Sequence, residues 1–172
     1  MTNPGTGAAA LPLQESYAAF FRREYPRMVA LAAAISGSRA TAEDLAQDAM
    51  IRAHRHWDRV SAYDRPGAWV RRVTVNISLS ARKRTSAELR RMLRIAEPST
   101  LPEPDVADDR VWRAVGELPG KQRAAIALHY LDDLSTPEIA AILQIAESTV
   151  RVHIHRGRRA LAAALQDQEV PQ

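Results

Sequence analysis

Apolar residues recur at helical spacing through most of the chain. Tyr17, Phe21, Met28, Leu31 and Ile35 fall three, four or seven positions apart, the spacing of one helix face. Pro26 lies inside this pattern and predicts a kink or a fresh helix start. Gly37 ends the run. Thr41 with Asp44 three residues on predicts a capping box, and Glu43 adds a favourable charge to the first turn. From there Leu45, Ala49, Ala53 and Trp57 form one stripe, while Asp44, Gln47, Asp48 and Ile51 form another. On pattern alone, these acids read as caps and a solvated face.

The next segment is ambiguous. Residues 73–80, VTVNISLS, alternate apolar and polar without a break, as a half-buried strand does. The flanks favour a helix: Pro66 suits a helix start, and Trp69, Val73, Ile77 and Ala81 fit a helical stripe. No partner strand is apparent elsewhere. Read as a helix, the segment places Arg72, Asn76, Ser80 and Lys83 on one face.

The second half is clearer. Val111, Trp112, Val115 and Leu118 predict a short helix that stops at Pro119, and KQRAAIALHYLDDL predicts another. Thr136 is placed to cap a third, with Pro137 at its first helical position. Ile139, Ala140, Ile142 and Leu143 would face inward, and small Ala140 allows a neighbouring helix to approach. A turn at Gln144, Ile145 and Ala146 leads to a new helix near Glu147. Its buried stripe is Val150, Ile154, Gly157 and Leu161, at offsets of four, seven and eleven. This is a helix-turn-helix pattern. In such a motif the second helix enters the major groove with its N-terminal part against base edges. Arg151, Val152 and His155 stand at that front. Arg156, Arg158 and Arg159 come later and are placed for phosphates, which position the helix without specifying sequence.

Charge supports this reading. No acid occurs between Glu147 and Asp167, whereas Arg and His crowd the same stretch. Residues 65–94 hold nine basic side chains and one acid, Glu88; residues 97–109 hold five acids and no base. The acidic stretch also carries Pro98, Pro102 and Pro104, and proline disfavours helix before it. Residues 85–107 therefore read as a linker, with room for a short helix at 86–96. The basic residues are 22 Arg and 2 Lys. Arginine suits bidentate contacts to phosphate, although a GC-rich genome gives the same bias.

Composition sets the outer limits. The 172 residues are 46% hydrophobic and only 5% aromatic, so the core is mainly aliphatic. There is no cysteine, which excludes disulfides and thiolate chemistry. The start has no basic, apolar leader, and the longest apolar run, 28–35, is far short of the ~18 residues a spanning helix needs. A cytoplasmic chain without stable membrane insertion is expected. The five histidines fit no metalloprotease, phosphate-loop or nucleophile motif, so neither an enzyme, a cofactor nor a metal is expected. The fold class is all-α: two small helical domains joined by a flexible linker, the second with the helix-turn-helix. The expected boundaries are a tail at 1–13, a first domain at 14–84, the linker at 85–107, a second domain at 108–166 and a tail at 167–172.

Across residues 17–165 the chain resembles the extracytoplasmic-function (ECF) sigma factors, small two-domain members of the sigma-70 superfamily of bacterial transcription initiation factors. ATAEDLAQDAMIRAHRHWDRV, followed by RPGAWVRRVTVNISLSARKR, is similar to the family's core-binding and promoter-opening segments. LPGKQRAAIALHYLDDLSTPEIAAILQIAESTVRVHIHRGRRAL is similar to its terminal helix-turn-helix. The resemblance implies that Asp44, Leu45, Gln47 and Asp48 dock on the clamp helices of the polymerase's largest subunit, with the flap of the second largest as a further contact. It implies that Asn76 lies near the pocket for a flipped −10 base, shaped by the loop at 58–66. Arg71, Arg72, Ser80, Arg82, Lys83 and Arg84 would complete the −10 surface. Ser148, Thr149, Arg151, Val152, His155, Arg156, Arg158 and Arg159 would form the −35 surface. It also implies an anti-sigma factor as partner, the route by which a nucleoid-associated chain would be held at the membrane. Gln144 departs from the family's usual glycine, Met50 from a common aromatic and Asp48 from a common Glu. A regulator of the response-regulator output type is the alternative; the basic 65–94 segment does not suit its receiver domain.

Overall fold

The computed structural model of the chain describes residues 15–93 and 109–166. The expected tails at 1–13 and 167–172 and most of the expected linker lie outside the described residues. Among the described residues the structure is helical throughout, with no strand. The helices are α1 (Tyr17–Ser36), α2 (Ala42–Arg55), α3 (Trp57–Val60), α4 (Pro66–Leu93), α5 (Asp109–Glu117), α6 (Gly120–Leu131), α7 (Thr136–Leu143) and α8 (Glu147–Gln166). No described helix is long and apolar enough to cross a membrane.

The first bundle is α1, α2 and α4, each packed on the other two. Ser16 caps α1 by accepting from Ala19 N–H, and Gly37 closes it at φ 76° with its N–H on Ala33 O. The helix runs continuously through Pro26, against the kink or restart expected there. Pro26 and Arg22 are both exposed, so the backbone bond that proline cannot make is lost on the solvent side of the helix. The capping box expected at Thr41 and Asp44 does not form. Thr41 sits at φ −100°, ψ −5° rather than in extended backbone, and its side chain makes no cap hydrogen bond.

Helix α4 takes in the ambiguous 73–80 segment and explains its alternation. The fully buried positions are Val70, Thr74, Val75 and Ser78, whereas the expected stripe of Trp69, Val73, Ile77 and Ala81 is half-buried beside them. Thr74 Oγ1 donates back to Val70 O at 2.9 Å. A hydroxyl satisfied by its own helix can occupy a buried position, so polar letters fall where apolar ones are expected. The helix also continues through Leu93, into the segment read as linker.

The second bundle sets α5, α6 and α7 around α8. Val111, expected inward, is 48% exposed, whereas Val115 and Leu118 are buried as expected, with Ala114 beside them. The cap of α7 is Ser135, not Thr136: Glu138 accepts from Ser135 N–H at 2.9 Å and from its hydroxyl at 2.6 Å. The helix already turns at Thr136, so the extended residue before it takes the capping role. Ile139, Ala140, Ile142 and Val150 are buried, as the helix-turn-helix pattern requires.

The two bundles share one apolar core. Phe20, Met28, Leu31 and Ile35 of α1 belong to the same buried cluster as Ala124 and Leu128 of α6 and Ile139 and Val150 beyond it. Helix α6 packs on α1, and α7 packs on α4.

Candidate docking and nucleic-acid surfaces

The first surface is the outer face of α2. Asp44 and Gln47 are exposed, and Asp48 is half-buried. Asp48 is held by Arg52 one turn on, through Oδ2 to Nη2 at 3.0 Å and Oδ1 to Nε at 3.3 Å. Leu45 packs on Ala32, Ala33 and Ala42 and fixes the edge of the face against α1. Ile51 belongs to the same face and is 43% exposed. The sequence reading gave it no docking role, although its place three residues after Asp48 and four after Gln47 was the available signal.

The second surface is α4, where the expected −10 residues separate into two groups. Asn76, Ser80, Lys83 and Arg84 are exposed on one side. Arg71, Arg72 and Arg82 are engaged against the second bundle. Arg71 is 7% exposed and reaches Asp132 Oδ2 at 3.0 Å and Glu24 Oε2 at 3.2 Å. Arg72 donates to Ala141 O at 2.8 Å. Arg82 donates to Ser36 O at 3.0 Å and also to Gly116 O. Arg65, just before the helix, pairs with Glu138 at 2.7 Å. Helical geometry explains Arg71 and Arg82, whereas Arg72 lies on the Asn76 face and is engaged from α7. Arg71, Val75, Ser78 and Arg82 follow offsets of four, seven and eleven and share the buried stripe.

Arg123 of α6 adds a residue that sequence reasoning missed. It is 3% exposed and donates to Ile35 O at 2.8 Å and Leu118 O at 2.6 Å, capping the carboxyl ends of two helices. Burial, and then the charge of Arg82, lower its pKa to about 10. Its position at the head of the apolar run 124–128 was the only local signal.

The third surface is the front of α8. Ser148, Arg151, Val152, His155, Arg156, Arg158 and Arg159 are exposed, and Thr149 is half-buried. Arg151 lies 3.6 Å from Glu147 one turn earlier, an exposed pair too weak to hold it. A groove of about 560 Å³ runs beside this front, lined by Arg151, His155, Arg158 and Arg159 together with His129 and Thr136. The last two were not predicted and come from α6 and α7.

Burial of Val150 and close packing at Gly157 seat the helix. The turn before it places Gln144 at φ 52°, ψ 51°, the left-handed conformation that glycine takes without strain. Gln144 stands where the family usually has glycine, and it adopts this glycine-favouring conformation at a cost of roughly 1–2 kcal/mol. His153 faces inward; burial, then Lys121 and Arg156, push its pKa below the ordinary value. Among the described residues no three His, Asp or Glu side chains gather as a metal site would need.

Comparison with known proteins agrees with this arrangement. Residues 20–88 match the family profile of Sigma-70 region 2, and residues 108–161 match Sigma-70, region 4. The chain is 33% identical over 175 residues to the ECF RNA polymerase sigma factor SigL of Mycobacterium tuberculosis, covering 94% of this chain and 95% of that one. It is 32% identical over 142 residues to SigW of Bacillus subtilis, 73% and 76% of the two chains. The fold is similar to the sigma factor RpoE solved with the anti-sigma factor NepR from Bartonella quintana. That match has a TM-score of 0.73 at 23% identity, over 89% of this chain and 98% of the other. CnrH, solved with the cytosolic domain of CnrY, matches with a TM-score of 0.63 at 22% identity, over 89% of each chain. With both sigma regions matched in order, and a curated relative a third identical along nearly its whole length, the chain belongs to the ECF RNA polymerase sigma factors of the sigma-70 family.

Proposed function

We propose that this chain recruits core RNA polymerase to promoters, with the α2 face as its docking surface, the open side of α4 as its −10 surface and the front of α8 as its −35 surface. The observation that carries the reading is the helix-turn-helix. Its buried side is closed by Val150 and Gly157, and its opposite side presents Arg151, Val152, His155 and three further arginines to solvent. Arg151, Val152 and His155 stand where base edges come within reach, and Arg156, Arg158 and Arg159 where phosphates do. Asn76, exposed on α4, is assigned to the unpaired −10 base; extruding a base costs a few kcal/mol, which bound polymerase helps to offset. Asp44, Gln47 and Asp48 are assigned to the polymerase clamp, with Leu45 as their support and Ile51 as an added apolar contact. The role is recruitment and recognition rather than catalysis.

The first domain is taken as 14–84, the linker as 85–107 and the second domain as 108–166. Two tethered modules raise each other's effective concentration, so each can bind weakly alone. An anti-sigma factor is proposed as a further partner, because the solved relatives RpoE and CnrH are paired with NepR and CnrY. Holding by a membrane-borne anti-sigma factor would move the chain between nucleoid and membrane. A response-regulator output domain is not favoured, since residues 20–88 match Sigma-70 region 2.

Docking is tested by replacing Asp44, Gln47 and Asp48 together with Ala. All three lie off the packed face, so helicity should be unchanged while co-elution with core polymerase is lost. Wild-type affinity in the triple variant would remove the docking assignment.

A further inference from the structure

We propose that the free end of α4, residues 83–91, is a further DNA-binding surface. It would take the backbone phosphates of the promoter duplex next to the −10 element, on the side toward −35. The inference rests on the assignment of Asn76 to the unpaired −10 base and extends that surface along the helix. Helix α4 runs on past its last buried position, Ser78, to Leu93. Among the described side chains from 83 to 91, Ser86 is half-buried and the others are exposed. Lys83, Arg84, Arg90 and Arg91 against Glu88 leave this end at 4 − 1 = +3. Unlike Arg71, Arg72 and Arg82, these four cations make no side-chain hydrogen bond or ion pair among the described residues. At about 100° per residue, all four fall within an arc of about 120° that also contains Asn76, Ser80 and Ala87. The Asn76 face therefore continues as one basic strip, about 22 Å long at about 1.5 Å per residue.

Folding gives this end no reason to be so basic. A helix segment with little packing gains little stability, and like charges along one face repel. Arg90 and Arg91 do suit the carboxyl end of the helix dipole, but that effect falls off within the last turn. Lys83 and Arg84 lie more than two turns before Leu93 and are beyond it. The strip forms two pairs, Lys83 with Arg84 and Arg90 with Arg91, seven residues or about 10 Å apart along the axis. The major groove is about 12 Å wide, so a helix set across it brings one pair to each backbone. Small Ala87 lies midway, in a shallow notch of about 390 Å³ lined by Arg84, Ala87, Glu88 and Arg91, where the helix backbone can come close. Duplex fits this strip better than single strand. Surfaces for single strands combine cations with aromatic rings that stack on bases, and residues 82–93 hold no aromatic. Direction follows from the chain: α4 leads from Asn76 toward the linker and the domain assigned to −35, so its far end lies over the duplex between the two elements. Contacts of this kind add affinity and register without reading sequence.

The test uses holoenzyme formed from core polymerase and the full chain, on a promoter fragment that yields a start-specific transcript. Arg90→Gln and Arg91→Gln are introduced together, because Gln keeps helix propensity while removing the charge. Each phosphate contact contributes about 0.9 to the slope of log affinity against log salt. The double variant should therefore lower that slope by about two, so that its affinity falls about tenfold less than that of wild type between 50 and 200 mM salt. A second fragment carries uncharged methylphosphonate linkages on both strands, over about six base pairs upstream of the −10 element. On it, wild type and variant should share one slope, because the phosphates that distinguish them are gone. An unchanged slope on the native fragment would overturn the proposal and leave Arg90 and Arg91 to the helix dipole, whatever circular dichroism shows of helicity. A difference of two that persists on the neutralised fragment would overturn it as well, placing the contact on the unpaired strand or on polymerase. Failure of the wider functional reading would show separately, before any variant is made: wild-type chain with active core enzyme would give no start-specific transcript, and this inference would fall with it.

Discussion

Replacing Gly157 with Ala should loosen the seat of the recognition helix. A Cβ built there would lie 2.6 Å from Ile126 Cγ1 and 2.9 Å from Ile126 Cδ1, with Leu118 Cδ1 at 3.7 Å. Carbon pairs settle at about 3.5–4.0 Å, so the shortfall is close to 1 Å. Ile126 cannot simply swing aside. It is 4% exposed in α6, and a β-branched side chain in a helix is nearly fixed at χ1. The strain therefore passes to the spacing of α6 and α8, and overpacking of this kind costs about 1–3 kcal/mol. Alanine recovers about 0.5–1 kcal/mol through the backbone entropy that glycine loses in a helix. A net loss of about 1 kcal/mol follows. Urea unfolding of the full chain, followed by far-UV circular dichroism, measures it as a lower midpoint at unchanged slope. Ile126→Ala removes both clashing atoms, so in that background Gly157→Ala should become neutral or stabilising. The coupling in the double-mutant cycle should be about 1–3 kcal/mol. A coupling of zero, with Gly157→Ala stabilising in both backgrounds, would refute the argument from close packing.

Two further outcomes follow from α8. Arg151→Ala should narrow the difference in affinity between cognate and scrambled −35 duplexes by about 1–3 kcal/mol, whereas Arg159→Ala should weaken both duplexes alike and lower the salt slope by about one. A salt titration of the full chain on both duplexes separates these effects, and the reverse assignment would mean that the helix docks the other way round. His153 has its folded-state pKa held below the ordinary value, first by burial and then by the charges of Lys121 and Arg156. Protonation therefore favours the unfolded chain. The stability contributed by neutral His153 is present above its unfolded value of about 6.5 and is lost as pH falls through the folded value. Urea midpoints at pH 7.5 and 5.5 should differ more for wild type than for His153→Asn; equal differences would exclude this origin.

The helices and the helix-turn-helix were legible because their signals are local. Val150, Ile154, Gly157 and Leu161 repeat every three or four residues, and Pro137 and Gly37 mark ends through their own backbone limits. The front of α8 followed from which face was already apolar. Less was legible where a residue's role depends on a distant partner. The buried stripe of α4 includes Thr74, whose hydroxyl is satisfied at Val70 O, and Ser78, so its hydropathy pattern mimics a strand. Arg71 and Arg82 look like surface phosphate binders in sequence, yet they sit on the buried stripe because Asp132 and Gly116, far along the chain, meet them there. Arg123 is buried for the same kind of reason, by the carbonyls of Ile35 and Leu118. The missed cap at Thr41 is a conformational matter: its φ and ψ are already helical, which no residue pattern at 41–44 announces.

The central claim is that one chain carries polymerase docking and promoter recognition together. Its most direct measurement is run-off transcription from a library of genomic promoter fragments, with purified core RNA polymerase and this chain as the only initiation factor. The account predicts transcripts with defined start sites that disappear when Asp44, Gln47 and Asp48 are replaced by Ala. Active core enzyme that yields no start-specific transcript from any fragment would contradict it.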